Sequence, residues 1–234
     1  MPSRLEIALQ DQLADPEGEG IRKKARAYFG IEVSRIRAVQ ILTIDAGLSA
    51  DQLKLIQNDI FTNPVTQVSS DRPLAVDCDW VIWVGYRPGV RDNPGATAVE
   101  AIEDLLRIRF APGDAVYTSK RYCVSGRNLS REDVQRIAGG LLANDIVQQW
   151  RIYSAREWDP AEGVGIIIPK VRLDHAPTVT VIPIDSDATL QRISDERNLA
   201  LNPNDVPVIR AYFSDPAVRV DRAASSAASS RTCS

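Results

Sequence analysis

The sequence contains the same segment twice, and this internal repeat constrains the fold more than any other feature. Residues 48–65 align without gaps with residues 129–146. Both copies begin Leu-Ser and share an isoleucine, Ile56 in the first and Ile137 in the second. Both then carry an apolar pair and, after one intervening residue, an asparagine. We therefore expect the chain to form the same structural unit twice.

Each aligned segment has the pattern of a capped amphipathic helix. Ser49 has the spacing from Gln52 that forms a capping box, and Ser130 has the same spacing from Asp133. Apolar residues follow at i, i+3 and i+7, which predicts one buried helix face in each copy. These residues are Leu53, Ile56 and Ile60 in the first copy, and Val134, Ile137 and Leu141 in the second.

A second pair of matching segments lies upstream and predicts one more helix in each copy. Residues 15–18 (Asp-Pro-Glu-Gly) match residues 92–95 (Asp-Asn-Pro-Gly), and each stretch opens a helical pattern. Pro16 and Pro94 suit a first helical turn, where a missing N–H costs nothing. Alternating or β-branched stretches predict strands before, between and after the helices, at residues 5–9, 35–45 and 65–69, and at 80–84, 116–125 and 146–153.

The expected fold class is α/β (α+β), with two ferredoxin-like units of βαβαβ order. The units are predicted to span residues 4–70 and 78–155. Helices that cover only one face of a small sheet leave the other face to be buried elsewhere. We therefore expect the two units to bury these faces against each other, as a pseudo-dimer with an internal two-fold axis.

Three further segments are predicted after the repeats. Residues 156–185, rich in proline, glycine and short apolar runs, form a connector that packs on another part of the chain. Residues 186–215 form a short segment with two helices. Residues 218–234 lack apolar periodicity and are expected to be disordered.

Composition and motifs argue against several function classes. A net charge of −3 and a pI of about 5.3 argue against binding nucleic acid or an anionic membrane. The apolar run at residues 80–86 is far shorter than the ~20 residues that span a bilayer. Cys78, Cys123 and Cys233 have neither zinc-site nor disulfide-framework spacing, and the single histidine, His175, is interpreted as a loop residue. We expect a cytoplasmic protein with no catalytic, metal or cofactor site of its own.

Several of these stretches together resemble the family of phosphoribosylformylglycinamidine synthase. The opening at residues 15–18 and the Asn-Pro-Val ending at 63–65 are similar to the small PurS-type subunit of this enzyme. Two fused copies resemble the amino-terminal region of its extended, single-chain forms. Further similar stretches are residues 87–95 and 117–122, and residues 190–202 followed by 205–213, which resemble the family's linker segment. The resemblance covers about residues 4–215.

The resemblance implies that the chain is the non-catalytic amino-terminal portion of an ATP-dependent C–N ligase. That enzyme uses ATP and glutamine to convert formylglycinamide ribonucleotide to the amidine in de novo purine biosynthesis. ATP and Mg²⁺ would bind in the synthetase core, and the expected partners are this core and the glutaminase domain or subunit. Arg192, Arg197 and Asn202 of the linker are the candidate substrate-binding residues. The chain alone is expected to be inactive.

The family's core begins with a Trp-Ser-Glu-His-Cys type of motif, which does not occur in these residues. The hypothesis from the sequence is a truncated or frame-shifted gene product. Two alternatives stay open. One is a stand-alone PurS-type scaffold subunit for a separate synthetase chain, with residues 186–215 as its docking segment. The other is a metabolite-binding, ferredoxin-like regulatory module.

Overall fold

The structure, a computed structural model, describes residues 2–171 and 184–215. These residues form a mixed α/β fold with a six-stranded antiparallel sheet and six α-helices. The strands are Ser3–Leu9 (β1), Arg35–Asp45 (β2), Gln67–Ser70 (β3), Trp80–Tyr86 (β4), Ala115–Ser125 (β5) and Gln148–Ser154 (β6). The helices are Pro16–Phe29 (α1), Ala50–Ile56 (α2), Asn93–Leu106 (α3), Arg131–Ile137 (α4), Asp187–Glu196 (α5) and Asp205–Ser214 (α6). Contacts divide the described residues into two compact units, residues 2–171 and residues 184–215.

In the first unit, the order strand–helix–strand–helix–strand occurs twice, as predicted. We call residues 3–70 the first half and residues 80–154 the second half. Each half has one long helix that begins at an aspartate and a short helix that begins at a serine. Capping boxes form at Ser49 and Ser130, and a π-helical turn continues each short helix, at Gln57–Phe61 and Ala138–Leu142.

The aspartate that begins each long helix also binds a strand. Asp15 Oδ1 accepts a hydrogen bond from the Gly18 amide at 2.9 Å, and Oδ2 accepts one from the Ala38 amide of β2 at 2.7 Å. One carboxylate therefore caps a free N–H of the helix and, through its second hydrogen bond, connects the helix to β2 of the sheet. The same three groups recur in the second half, as Asp92, Gly95 and Thr118.

The six strands form one continuous sheet in the order β3-β1-β2-β5-β4-β6. Strands β2 and β5 pair antiparallel along their whole length, from Arg35 opposite Ser125 to Asp45 opposite Ala115. The predicted face-to-face packing of the two halves is therefore wrong, because their sheets join edge to edge. This arrangement pairs the backbone N–H and C=O groups that an edge strand would leave open.

Two hydrophobic cores lie between the helices and one face of the sheet, and both cores combine residues from the two halves. In one core α1 packs with α4, and in the other α2 packs with α3. The first includes Ile21, Ala25, Ile36, Ile82, Val124, Val134 and Ile137, and the second includes Leu5, Leu42, Ile44, Ile56, Ala98, Ile102 and Val116. The halves are thus held together by shared cores as well as by the strand pairing.

The opposite face of the sheet is covered in part by the connector. Trp158, Val164 and Ile167 pack with Ile41 of β2 and Trp83 of β4. The prediction that the connector packs on another part of the chain is confirmed for residues 156–171. The rest of the predicted connector up to residue 183, including His175, and the predicted disordered tail at 218–234 lie outside the described residues.

In the second unit, α5 and α6 confirm the two helices predicted within residues 186–215. Ser186 caps α5 through the Thr189 amide at 3.1 Å. The Ser194 hydroxyl accepts a hydrogen bond from the Leu201 amide at 3.0 Å, which fixes the turn between the helices. No helix among residues 2–171 and 184–215 is long and apolar enough to cross a membrane.

Candidate functional site

A cavity of about 740 Å³ opens in the first half, between β1, α2 and the connector. Its volume falls in the range of small-molecule sites, roughly 300–1,000 Å³. We call it the β1–α2 pocket. Its apolar lining residues are Pro2, Leu5, Ile44, Ala50, Leu53 and Ile166. Its charged members are Arg4, Lys54, Asp71 and Glu162.

Arg4 is the charged group that is held most firmly in the wall of this pocket. Its side chain is only 9% exposed. Nη1 donates hydrogen bonds to the carbonyl oxygens of Glu162 at 2.8 Å and Gly165 at 3.3 Å, which ties the connector to β1. Nε has no hydrogen-bond partner and lies 3.8 Å from Oε1 of Glu6. Arg4 therefore brings a buried positive charge to the pocket, with its position fixed by the connector backbone.

A buried ion pair lies next to Arg4 on the same face of the sheet. Arg121 Nη2 of β5 lies 2.8 Å from Glu6 Oε2 of β1, and both side chains are almost fully buried. The Leu74 amide donates to the same Oε2 at 2.9 Å, and the Leu74 carbonyl accepts from Arg121. The Arg121 guanidinium also stacks 5.5 Å from the Trp158 ring centre. Two arginines thus share one carboxylate, so the buried cluster of Arg4, Glu6 and Arg121 carries a net positive charge.

Two smaller cavities, of about 320 and 290 Å³, flank the centre of the sheet on its helical face. Gln40 and Lys120, which lie opposite each other across the β2–β5 pairing, contribute to both cavities. Glu17 at the start of α1 forms an ion pair with Lys120 at 2.8 Å and accepts a hydrogen bond from the Tyr122 hydroxyl at 2.8 Å. Burial and the Glu17 carboxylate raise the pKa of Tyr122 well above its usual value, so this phenol stays protonated.

Cys78, in the segment that leads into β4, and Cys123 of β5 interact although they are distant in sequence. Arg121 Nη1 lies 3.0 Å from the Cys123 sulfur. The interaction with Cys78, together with the Arg121 charge, lowers the pKa of Cys123, whereas the pKa of Cys78 is raised. Their spacing in the sequence contained no signal for this contact, because the sheet creates it. Across the described residues, no group of three or more potential metal ligands occurs.

The three candidate substrate-binding residues from the sequence are all exposed and lie in the second unit. Arg192 pairs with Glu196 at 2.9 Å along α5. Arg197 follows the last residue of α5, and its amide donates to the Ile193 carbonyl at 3.0 Å. The Asn202 amide side chain accepts a hydrogen bond from the Asn204 amide at 3.0 Å in the turn before α6. Among the contacts of the described residues, none joins two of these three side chains, so their role in substrate binding stays a prediction.

Sequence reasoning missed the β1–α2 pocket, although the repeat contains a signal for it. Aligning the halves places Ser3 against Trp80 and Ala50 against Arg131, so two large side chains of the second half correspond to small ones in the first.

No protein-family model matches the chain, and no curated protein matches it with statistical significance.

Proposed function

We propose that this chain is a non-catalytic scaffold portion of a phosphoribosylformylglycinamidine synthase, which holds the synthetase and glutaminase parts of that enzyme together. The proposal comes from the resemblance of residues 4–215 to the amino-terminal region and linker of that family. The observation that carries it is the pairing of two similar halves into one continuous sheet, which is followed along the chain by a separate helical unit. This is the order expected of a fused PurS-type pair and a linker.

The geometry of the first unit supports an origin of the two halves by duplication of a ferredoxin-like unit. The strand order reads the same from both edges of the sheet when β1, β2 and β3 are taken as equivalent to β4, β5 and β6. Gln40 and Lys120 are the middle residues of β2 and β5 and lie opposite each other. A local two-fold axis through this pair would exchange the halves, as in a dimer of two identical subunits.

The second unit has an exposed apolar surface that fits a linker covered by another part of the enzyme. Val208 and Tyr212 lie one turn apart on α6 and are 67% and 55% exposed. Leu199, in the turn before α6, is also exposed. Apolar side chains grouped in this way mark contact surfaces in soluble proteins. The proposed occupant is the synthetase core, which follows the linker in the family.

The proposal is tested by reconstitution with the synthetase and glutaminase polypeptides of the same organism. We expect this chain to form a stoichiometric complex with them and to raise glutamine-dependent amidine formation, while the chain alone has no activity. Val208→Lys is expected to weaken the complex at least tenfold. Ser214→Lys, which adds the same charge at the exposed last residue of α6, is the matched control and is expected to bind normally.

Absence of any complex, or equal binding by the two variants, would contradict the proposal. A stable complex of this chain with a complete, separately encoded synthetase would favour the alternative of a stand-alone scaffold subunit. The other alternative, a metabolite-binding regulatory module, is favoured by one specific observation, the β1–α2 pocket.

A further inference from the structure

Ser3 and Trp80 occupy equivalent positions in the two halves of the sheet. Ser3 of β1 pairs with Ile44 of β2, and Trp80 of β4 pairs with Val124 of β5. Ile44 and Val124 belong to the corresponding cores under the helices. The two positions therefore have equivalent backbone surroundings, and their environments differ because the side chains differ.

In the second half, Trp80 fills the space between β4 and the start of α4. Its indole N–H donates to the Leu129 carbonyl at 3.3 Å, and the Arg131 guanidinium lies 5.4 Å from the ring centre. Trp80 also packs against the core that contains Val134. The indole is thus held by one hydrogen bond, one cation–π contact and apolar packing.

In the first half, the same space is left open because both large side chains are replaced by small ones. Ser3 stands where the second half has Trp80, and Ala50, the first residue of α2, stands where it has Arg131. Both Ser3 and Ala50 line the β1–α2 pocket. The pocket therefore lies at the place that the indole ring of Trp80 takes in the second half.

The first half also has charges that its counterpart lacks. Arg4 and Lys54 line the pocket, whereas the residues at the equivalent positions are Val81 and Gln135. Arg4 belongs to the buried cluster with a net positive charge, and such a charge is costly unless an anion compensates it. Asp71 and Glu162 are exposed, so water screens their charge more strongly than that of Arg4.

We propose that the β1–α2 pocket binds a small planar bicyclic heteroaromatic molecule that carries an anionic group. The ring takes the place that Trp80 fills in the second half. The anionic group lies toward Lys54 of α2, on the same face of β1 as the ring, and Arg4 adds its charge at the wall of the pocket from the other face of the strand. This inference goes beyond the scaffold function, because it concerns the isolated chain and needs no synthetase.

Binding of indole-3-propionate and of its uncharged amide to the purified full chain tests the proposal. We expect saturable binding of the acid by calorimetry, with a matching rise in melting temperature. The amide, which keeps the ring and loses the charge, is expected to bind at least tenfold more weakly. Lys54→Gln, which copies Gln135 of the second half, is expected to reduce this preference for the acid.

Two variants fill the pocket with the side chains of the second half. Ser3→Trp is expected to weaken binding of the acid at least tenfold. Ala50→Arg changes an exposed residue at the start of α2 and retains the fold even where Ser3→Trp does not. It is expected to strengthen binding of the acid, because the guanidinium can stack on the bound ring as Arg131 stacks on Trp80, and it adds a positive charge beside the anionic group. Wild-type or weaker affinity in Ala50→Arg, equal binding of acid and amide, or no saturable binding of the acid would each overturn the proposal. These results do not depend on whether the chain assembles with a synthetase.

Discussion

Glu6 and Arg121, which are 115 residues apart in sequence, form a buried ion pair that joins the two halves of the sheet. Their side chains project from β1 and β5 on the face opposite the helices. The pair also binds the backbone of Leu74, in the segment between the halves. Strand pairing, shared cores and this polar contact therefore all connect the halves, and we expect them to unfold as one cooperative unit.

Replacing Arg121 alone with methionine is expected to lower the free energy of unfolding by about 3–5 kcal/mol, because it leaves the Glu6 carboxylate buried with a weaker partner. Replacing both residues, with Glu6→Leu and Arg121→Met, is expected to recover only part of this loss, since no buried charge of the pair then remains but Arg4 loses the carboxylate that lies 3.8 Å from its Nε. Urea unfolding followed by tryptophan fluorescence measures both values. A double variant less stable than Arg121→Met would contradict this account of the pair.

Helix α1 packs so closely on the sheet at Gly18 that no larger residue fits there, whereas Gly20 on the same helix has free space around it. A Cβ atom on Gly18 would overlap the Ile36 carbonyl, and one on Gly95 would overlap the Val116 carbonyl. A Cβ on Gly20 meets nothing within 4 Å. We therefore expect Gly18→Ala and Gly95→Ala to destabilise the protein, and Gly20→Ala to stabilise it by about 0.5–1 kcal/mol.

Thermal unfolding of the three alanine variants checks this expectation, with Gly20→Ala as the matched control on α1. A Gly18→Ala variant as stable as Gly20→Ala would show that α1 can move away from β2 without cost. Similar losses in Gly18→Ala and Gly95→Ala would also support the proposed duplication, because they report the same contact in each half.

The repeat allowed the local structure to be predicted well. The aspartates at 15 and 92 and the serines at 49 and 130 marked the helix starts, because capping depends on residues close in sequence. Strand β2 agrees with its predicted range at both ends. These features needed no knowledge of how the two halves meet.

The way the halves meet could not be read from the same patterns. A period of two along β2 and β5 tells which residues share a face, but not whether an edge of the strand is paired. Arg37 and Arg121 also interrupt the apolar pattern on the second face, yet both side chains are buried. Their burial depends on partners such as Glu6 and the Leu9 carbonyl, which only the folded sheet brings close. Predicting the β1–α2 pocket from the sequence would have required a residue-by-residue comparison of the two halves.

Asp15 and Asp92 each hydrogen bond both to a helix N-terminus and to a strand amide, so replacing them tests this contact in both halves. Replacement of either with alanine removes the cap of a long helix and a hydrogen-bond acceptor for a strand amide. We expect each variant to lose about 1–2 kcal/mol of stability, at the upper end of the range for N-cap residues. Urea unfolding of the two variants gives the comparison. A loss of stability in only one of the two variants would indicate that the aspartate contributes differently in the two halves.

Tyr122 is expected to make stability fall at alkaline pH. Its pKa is raised in the folded protein by burial and by the hydrogen bond to Glu17, so the unfolded chain loses this proton at a lower pH than the folded one. The stabilisation that results is fully present below the unfolded pKa of about 10 and is lost as the pH rises above it. Tyr122→Phe removes this titration, so its free energy of unfolding should fall less steeply than that of the wild type between about pH 9 and pH 11. Urea unfolding at several pH values measures both slopes, and the other tyrosines, including Tyr117, contribute equally to the two proteins. Equal slopes would mean that the Tyr122 phenol ionises in the folded protein as it does in the unfolded chain.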